Sequence, residues 1–253
     1  LPIMYYDNST GYVYINLGSS IGVISGTQII QNISLNQYIY SIVYDPQNGV
    51  LYAATASDIY AINTADNAII GETNISYGVT YMLVSPSNGE IYVASLDYIT
   101  ILAPSLNLVN KIFTNETVRL IFYDPSDGYI YALGSSHIFV INPSTNSVIA
   151  EFKYNQNSFF SPTYPQMIYD PLNGYVYVAN GSYVGVISST NIVAEIPIND
   201  YVYGLAFDRD NSYIYIGSLN STYVLDPETG SIIGNIKTSD ILCRLNDTQT
   251  LVI

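Results

Sequence analysis

The chain contains no tryptophan, a single histidine (His137), a single cysteine (Cys243) and only six Lys plus Arg among 253 residues. Each scarcity removes a class of function. One cysteine forbids any internal disulfide, and that absence does not by itself assign a compartment. One histidine cannot build a His-rich metal site, so no metal and no cofactor are expected. So few basic side chains cannot neutralise a phosphate backbone, which excludes nucleic acid as a partner and disfavours anionic membrane surfaces. No uninterrupted apolar run reaches the roughly 18–20 residues of a membrane span. The opening Leu1-Pro2-Ile3-Met4 carries no basic leader region and fits a chain already processed or cut from a longer one. A nucleophile–base pair, a framed carboxylate dyad and a phosphate-binding glycine loop are all missing, so no catalytic residue is assigned.

Charge of either sign is scarce. Charged residues make up 10% of the chain, against roughly 25% in an ordinary soluble domain. The place of charge is taken by 27 Tyr and by many Ser, Thr and Asn. The 20 acids leave a formal net charge of −14. At about pH 2–3 most carboxylates would be protonated, because their reference pKa values lie near 4. A surface wetted by hydroxyls and amides is therefore compatible with an acidic exterior.

What the sequence has in abundance is one pattern, written six times and begun a seventh. An apolar strand leads into a turn of the form Asp-Pro-x-Asn-Gly, followed by an alternating strand that carries Tyr. A polar loop, a third strand, a second turn and a fourth strand complete the unit. The second copy reads Ile42-Val43-Tyr44, Asp45-Pro46-Gln47-Asn48-Gly49, Val50-Leu51-Tyr52-Ala53, Asp58-Ile59-Tyr60-Ala61-Ile62 and, after a second turn, Ala68-Ile69-Ile70-Gly71. The turn opens at Asp7, Asp45, Ser85, Asp124, Asp170, Asp208 and Asn246. Seven residues later stand Tyr14, Tyr52, Tyr92, Tyr131, Tyr177, Tyr215 and finally Ile253. Asp or Asn bonds its own downstream backbone, Pro presets φ, and Gly supplies positive φ at the reversal. Tyr is suited to fill the wedge between neighbouring units while its hydroxyl finds a partner.

Four short strands per unit of about forty residues predict an all-β fold, a β-propeller of four-stranded antiparallel blades. A single domain over 1–253 is expected, with repeats starting near 3, 41, 81, 120, 166, 204 and 241. Seven blades are expected, the last left incomplete in this chain. Strand donation from a neighbour would complete such a half-blade, and simple truncation is the plainer account.

The stretches Gly174-Tyr175-Val176-Tyr177-Val178-Ala179-Asn180 with Val184-Gly185-Val186-Ile187, and Tyr213-Ile214-Tyr215-Ile216-Gly217 with Tyr223-Val224-Leu225-Asp226-Pro227-Glu228-Thr229-Gly230, resemble the YVTN-repeat β-propellers. The resemblance implies an archaeal or bacterial surface or secreted protein. The Tyr-, Ser- and Asn-rich, Lys-poor style looks like that of secreted proteins of thermoacidophilic archaea. The repeated residues build blades, so the resemblance speaks to fold and little to chemistry.

Seven Asn-x-Ser/Thr sequons occur, at Asn8, Asn32, Asn74, Asn115, Asn180, Asn220 and Asn246. Asn32, Asn74, Asn115, Asn180 and Asn220 map to one face of the blades, in or beside loops able to carry N-linked glycans. The 46-residue repeat contains an insertion with Tyr154, Phe159, Phe160 and Tyr164, which either forms a contact surface or folds back over a blade edge. His137 reads as an ordinary loop residue, and Asp208-Arg209-Asp210-Asn211 as a turn lacking the spacing of a calcium loop. Entries to the first strands would face a central channel and nominate Arg119, Gln166, Asp240 and Arg244. Pairing across blades is the plainer role for these four.

The expected function is that of a non-catalytic, N-glycosylated module, extracellular or at the cell surface. It would serve in protein interaction, adhesion, an envelope lattice or a filament, with other surface proteins or its own subunits as partners. The alternative is a channel-centred enzyme, a lactonase- or lyase-like hydrolase.

Overall fold

The protein is described by a computed structural model covering residues 4–75, 78–153 and 167–237. Within them lie six four-stranded antiparallel sheets. The first holds β1 (Met4–Asp7), β2 (Tyr12–Asn16), β3 (Ser20–Ser25) and β4 (Gln28–Ser34). The second holds β5 (Ser41–Asp45), β6 (Val50–Ala54), β7 (Asp58–Asn63) and β8 (Ala68–Asn74). In the third are β9 (Tyr81–Val84), β10 (Ile91–Ala94), β11 (Tyr98–Leu102) and β12 (Leu108–Phe113). The fourth comprises β13 (Leu120–Tyr123), β14 (Ile130–Leu133), β15 (His137–Asn142) and β16 (Ser147–Lys153). The fifth comprises β17 (Met167–Asp170), β18 (Tyr175–Asn180), β19 (Tyr183–Ser188) and β20 (Asn191–Pro197). The sixth is formed by β21 (Val202–Phe207), β22 (Ile214–Ser218), β23 (Ser221–Asp226) and β24 (Ser231–Lys237). Every sheet is a meander whose spatial order follows the chain, which fits a propeller blade. Six sheets are described where seven repeats were expected; the seventh repeat, from 241 onward, lies outside the described residues.

The residues group into two compact units. One contains the first three sheets with 120–123, 130–135 and 141–148 of the fourth; the other contains 124–129, 136–140, 149–153 and 167–237.

Burial grades outward across each sheet, and residue choice follows it. The second strands β6, β10 and β14 are buried along their whole length, which is why they read as continuous apolar runs. Fourth strands have one neighbour and are mostly exposed. The core accordingly lies between successive sheets. In the first unit Tyr14, Ile21, Val23, Ile42, Leu51 and Ile62 pack the first sheet on the second. In the second unit Tyr177, Val184, Leu205, Ile214 and Ile216 pack the fifth on the sixth. Each fully buried side chain of this size contributes roughly 1.5–3 kcal/mol.

The opening turns are held as their residue types require. The Asp carboxylate accepts from the backbone N–H two residues on, for Asp7 from Ser9 at 2.9 Å, for Asp170 from Leu172 at 2.9 Å and for Asp208 from Asp210 at 2.9 Å. The chain then reverses through positive φ, at Gly174 with φ 73° and in the sixth sheet at Ser212 with φ 64°. A serine in this left-handed region carries strain that glycine avoids.

Candidate functional site

The repeated tyrosine of the second strand is the seam between sheets. Tyr14, Tyr52, Tyr92, Tyr131 and Tyr177 are buried, while Tyr215 is half-buried. The Tyr14 hydroxyl lies 2.8 Å from Asn67 Oδ1 and 3.1 Å from the Thr64 carbonyl, in the β7–β8 turn of the next sheet. Tyr52 donates to the Pro104 carbonyl at 3.0 Å, and Tyr92 to Asn146. Burial pushes the pKa of Tyr14 and of Tyr52 up to about 12, with nearby Asp7 and Asp45 respectively adding to the rise. These hydroxyls therefore stay protonated and act as structural donors.

A second bond links the first two sheets. Tyr44 Oη donates to Asp7 Oδ1 at 2.6 Å, alongside the Ser9 N–H and Ser9 hydroxyl, while Thr10 donates to Oδ2. Burial alone would raise the Asp7 pKa, but the bonds from Tyr44 and Ser9 outweigh it and hold the carboxyl well below the usual range.

At the outer strands the structure brings together residues that sequence reasoning treated only as strand. Ile29 and Ile30 on β4, Ile69 and Ile70 on β8, Leu108 and Val109 on β12, Val148 and Ile149 on β16, and Ile192 and Val193 on β20 are adjacent exposed aliphatic pairs. Ile233 on β24 is exposed at the corresponding place, beside a partly buried Ile232. The register explains how neighbours on one strand share exposure. Val23 pairs with Gln31 and Ile24 with Ile29, so Ile30 is an extra residue in a bulge. The same shift isolates Ile70, Val109, Val193 and Ile233. A bulge re-aims a side chain and interrupts the ladder. The signal in the sequence was the recurrent aliphatic dipeptide directly after each second turn, whose surface position only the strand order reveals.

The described sequons lie in turns or near strand ends. Asn8 is exposed in the β1–β2 turn, Asn32 lies exposed within β4, and Asn115 follows β12 with φ 55°. Asn180 ends β18 half-buried, and Asn220 is exposed between β22 and β23. Asn74 ends β8, and its Nδ2 donates to Asp58 Oδ1 at 2.9 Å. Asp58 also accepts from Ser57 and Gln37; the Ser57 bond, opposed by burial and reinforced by Asn74 and Gln37, lowers its pKa.

Of the channel candidates, Arg119 precedes β13, half-buried, with its backbone N–H on the Leu133 carbonyl at 2.8 Å. Gln166, Asp240 and Arg244 lie outside the described residues, as do Asn246 and the insertion residues Tyr154, Phe159, Phe160 and Tyr164. His137 opens β15, with Nδ1 3.0 Å from the Ser136 hydroxyl and Nε2 3.7 Å from Glu151. Among the described residues no three His, Cys, Asp or Glu side chains converge as metal ligands. Among the described residues no helix is long and apolar enough to cross a membrane.

No family model matches the chain, and no curated protein matches it. Solved structures do. The fold is similar to Kuenenia stuttgartiensis hydrazine synthase, with a TM-score of 0.65 at 15% identity over 93% of this chain and 86% of that one. It is also similar to dihydro-heme d1 dehydrogenase NirN in complex with DHE, with a TM-score of 0.72 at 10% identity, where it covers 94% of this chain and 56% of that one. At such identities the likeness is one of fold, and both neighbours are β-propeller-like.

Proposed function

We propose that this protein is a non-catalytic propeller module of the extracellular space or cell surface, working through side-chain contacts made by its outer strands. The observation that carries this reading is the exposed aliphatic pair repeated from sheet to sheet, where chance exposure would be scattered. The low charge and the exposed sequons at Asn32, Asn115 and Asn220 support an N-glycosylated setting, and the YVTN-like repeats support an archaeal surface protein. Other surface proteins or further copies of the chain are the partners, in adhesion, an envelope lattice or a filament.

The test places a photo-crosslinking side chain at Ile70 or at Val109 in the native host, with Ala65 in the neighbouring turn as control, and maps glycopeptides in the same sample. Adducts from 70 and 109 but not from 65, with sugar on Asn32 or Asn220, are expected. Bare sequons and no adduct from any position would overturn the reading.

A channel-centred enzyme is the second reading, favoured by the fact that the two similar structures bear enzyme names. An activity abolished by Arg119→Ala with the fold intact would establish it over the first.

A further inference from the structure

A cleft of about 490 Å³ lies between the turns of the fifth and sixth sheets, within the second unit. Its walls include Asp170, Asn173, Asn211, Tyr213, Asp226 and Glu228, and among the described residues no Lys, Arg or His lines it.

This junction differs from that of the first and second sheets. In the first sheet the turn carboxylate of Asp7 takes a hydroxyl from Tyr44 of the second. The residue in the place of Tyr44, directly before the next turn, is Phe207 in the sixth sheet. It has no hydroxyl to offer Asp170. The Asp170 side chain is fully buried, its Oδ1 accepts from the Leu172 N–H, and its Oδ2 is buried with no hydrogen-bond partner among the described residues.

The seam tyrosine is also turned inward at this junction. Where Tyr14 and Tyr52 donate to the turn of the following sheet, the Tyr177 hydroxyl accepts from its own turn, from Asn173 Nδ2 at 2.9 Å. Burial raises Tyr177 to about 12, with Asp170 and Asp226 both near enough to contribute. Asp226 at the start of the β23–β24 turn has Oδ1 on the Glu228 N–H at 3.0 Å and Oδ2 on the Thr229 hydroxyl at 2.9 Å. Each of its oxygens keeps a lone pair for a further donor.

We propose that this cleft binds an organic cation, a guanidinium or ammonium group, held by Asp170 at its floor and by Asp226 and Glu228 at its wall. A buried carboxylate oxygen without a donor costs free energy that a cationic donor recovers. The other two carboxylates place negative charge around the entering group, and the cation of the β21–β22 turn, Arg209, is exposed and outside the lining. The size of the cleft and the absence of converging ligand trios among the described residues set it apart from a site that directly ligates a hard metal ion, which needs six to eight oxygens close together. Tyr213 adds an aromatic face suited to a cation. The group could arrive as a free amine or as an Arg side chain of a partner.

The test is calorimetric titration of the full chain with agmatine, with the peptide Gly-Arg-Gly and with calcium chloride. Saturable binding of agmatine or of the peptide is expected, and whichever binds more tightly identifies the source. Asp170→Asn is expected to weaken binding about tenfold, the loss of one charge-assisted bond, and Glu228→Gln severalfold. Glu228 is exposed, so that variant reads the site even if Asp170→Asn fails to fold. Phe207→Tyr, which offers Asp170 a hydroxyl in place of the ligand, should also weaken binding. Asp66→Asn, on an exposed turn of the other unit, should change nothing. Absence of binding at millimolar agmatine and peptide, equal binding by Glu228→Gln and the native chain, or stoichiometric calcium binding that agmatine does not displace would each overturn the proposal.

Discussion

Replacing Tyr44 by Phe removes one atom and isolates the bond that ties the first two sheets at their turns. The Tyr44 hydroxyl reaches Asp7 Oδ1 at 2.6 Å, and Asp7 is fully buried. A hydrogen bond to a charged group is worth about 1.5–3 kcal/mol net. Asp7 keeps the Ser9 and Thr10 donors, so the loss should lie near the lower end, about 1.5 kcal/mol. For a chain of this length that lowers the melting temperature by roughly 3–6 °C. The pH dependence makes the test specific. The folded pKa of Asp7 is depressed, so its contribution is fully present above the unfolded value, about 3.9, and is lost as pH falls toward the folded value. Without Tyr44 the folded pKa rises and part of that contribution disappears. Urea unfolding followed by near-ultraviolet circular dichroism should show the full deficit at pH 7 and a smaller one at pH 3. A deficit below about 0.5 kcal/mol at pH 7, or one that does not change with pH, would refute the argument.

Four further outcomes are expected. Ser212→Gly should stabilise the sixth sheet by up to about 1 kcal/mol, since φ 64° suits glycine; a lower melting temperature would contradict this. Tyr14→Phe should cost about 1–2 kcal/mol by stranding Asn67 and Thr64, whereas Tyr215→Phe should cost less, because that half-buried hydroxyl accepts from Asn211 and, among the described residues, has no other hydrogen-bond partner; paired urea titrations compare them. Burial raises the pKa of Asp124 against the bonds from Ser126, so ionised Asp124 costs stability above its folded pKa. The stability of Asp124→Asn relative to the native chain should therefore rise between pH 3 and pH 7, as read by unfolding midpoints. Ile69→Ser with Ile70→Ser should leave thermal stability within about 0.5 kcal/mol, both residues being exposed, while abolishing the crosslinked adducts.

Most of the blade was legible because each part of it depends on nearby residues. The offset from turn-opening Asp to seam Tyr lies within one hairpin, and the turn bonds of Asp7, Asp170 and Asp208 span two residues. What escaped depends on residues a full repeat apart. Whether Asp7 and Asp170 receive a hydroxyl from the following sheet depends on the residue before the next turn, Tyr44 for Asp7 and Phe207 for Asp170, and no local pattern joins them. The aliphatic pairs escaped for a different reason. Ile69-Ile70 reads as core by composition, and only the place of β8 at the rim of its sheet, with a bulge at Ile70, turns it outward. The channel candidates were chosen by position in the repeat, and only Arg119 falls among the described residues.

The outer strands pose a physical problem whose solution constrains the partner. An edge strand carrying adjacent exposed aliphatics invites edge-to-edge pairing and aggregation. The extra residues at Ile30, Ile70, Val109, Val193 and Ile233 break the ladder at the exposed aliphatic positions themselves. Strand addition is thereby discouraged while the side chains remain available. Full burial of one Ile or Val gains roughly 1.5–3 kcal/mol, and these side chains are already about half covered, so one pair offers about 1.5–3 kcal/mol. Association costs roughly 4–15 kcal/mol in lost freedom. A single pair therefore cannot retain a partner, and two or more must be engaged together, either by one extended surface or by several weak contacts acting through avidity. Removing one pair should then weaken assembly steeply instead of by a proportional share, which a series of single-pair variants would reveal.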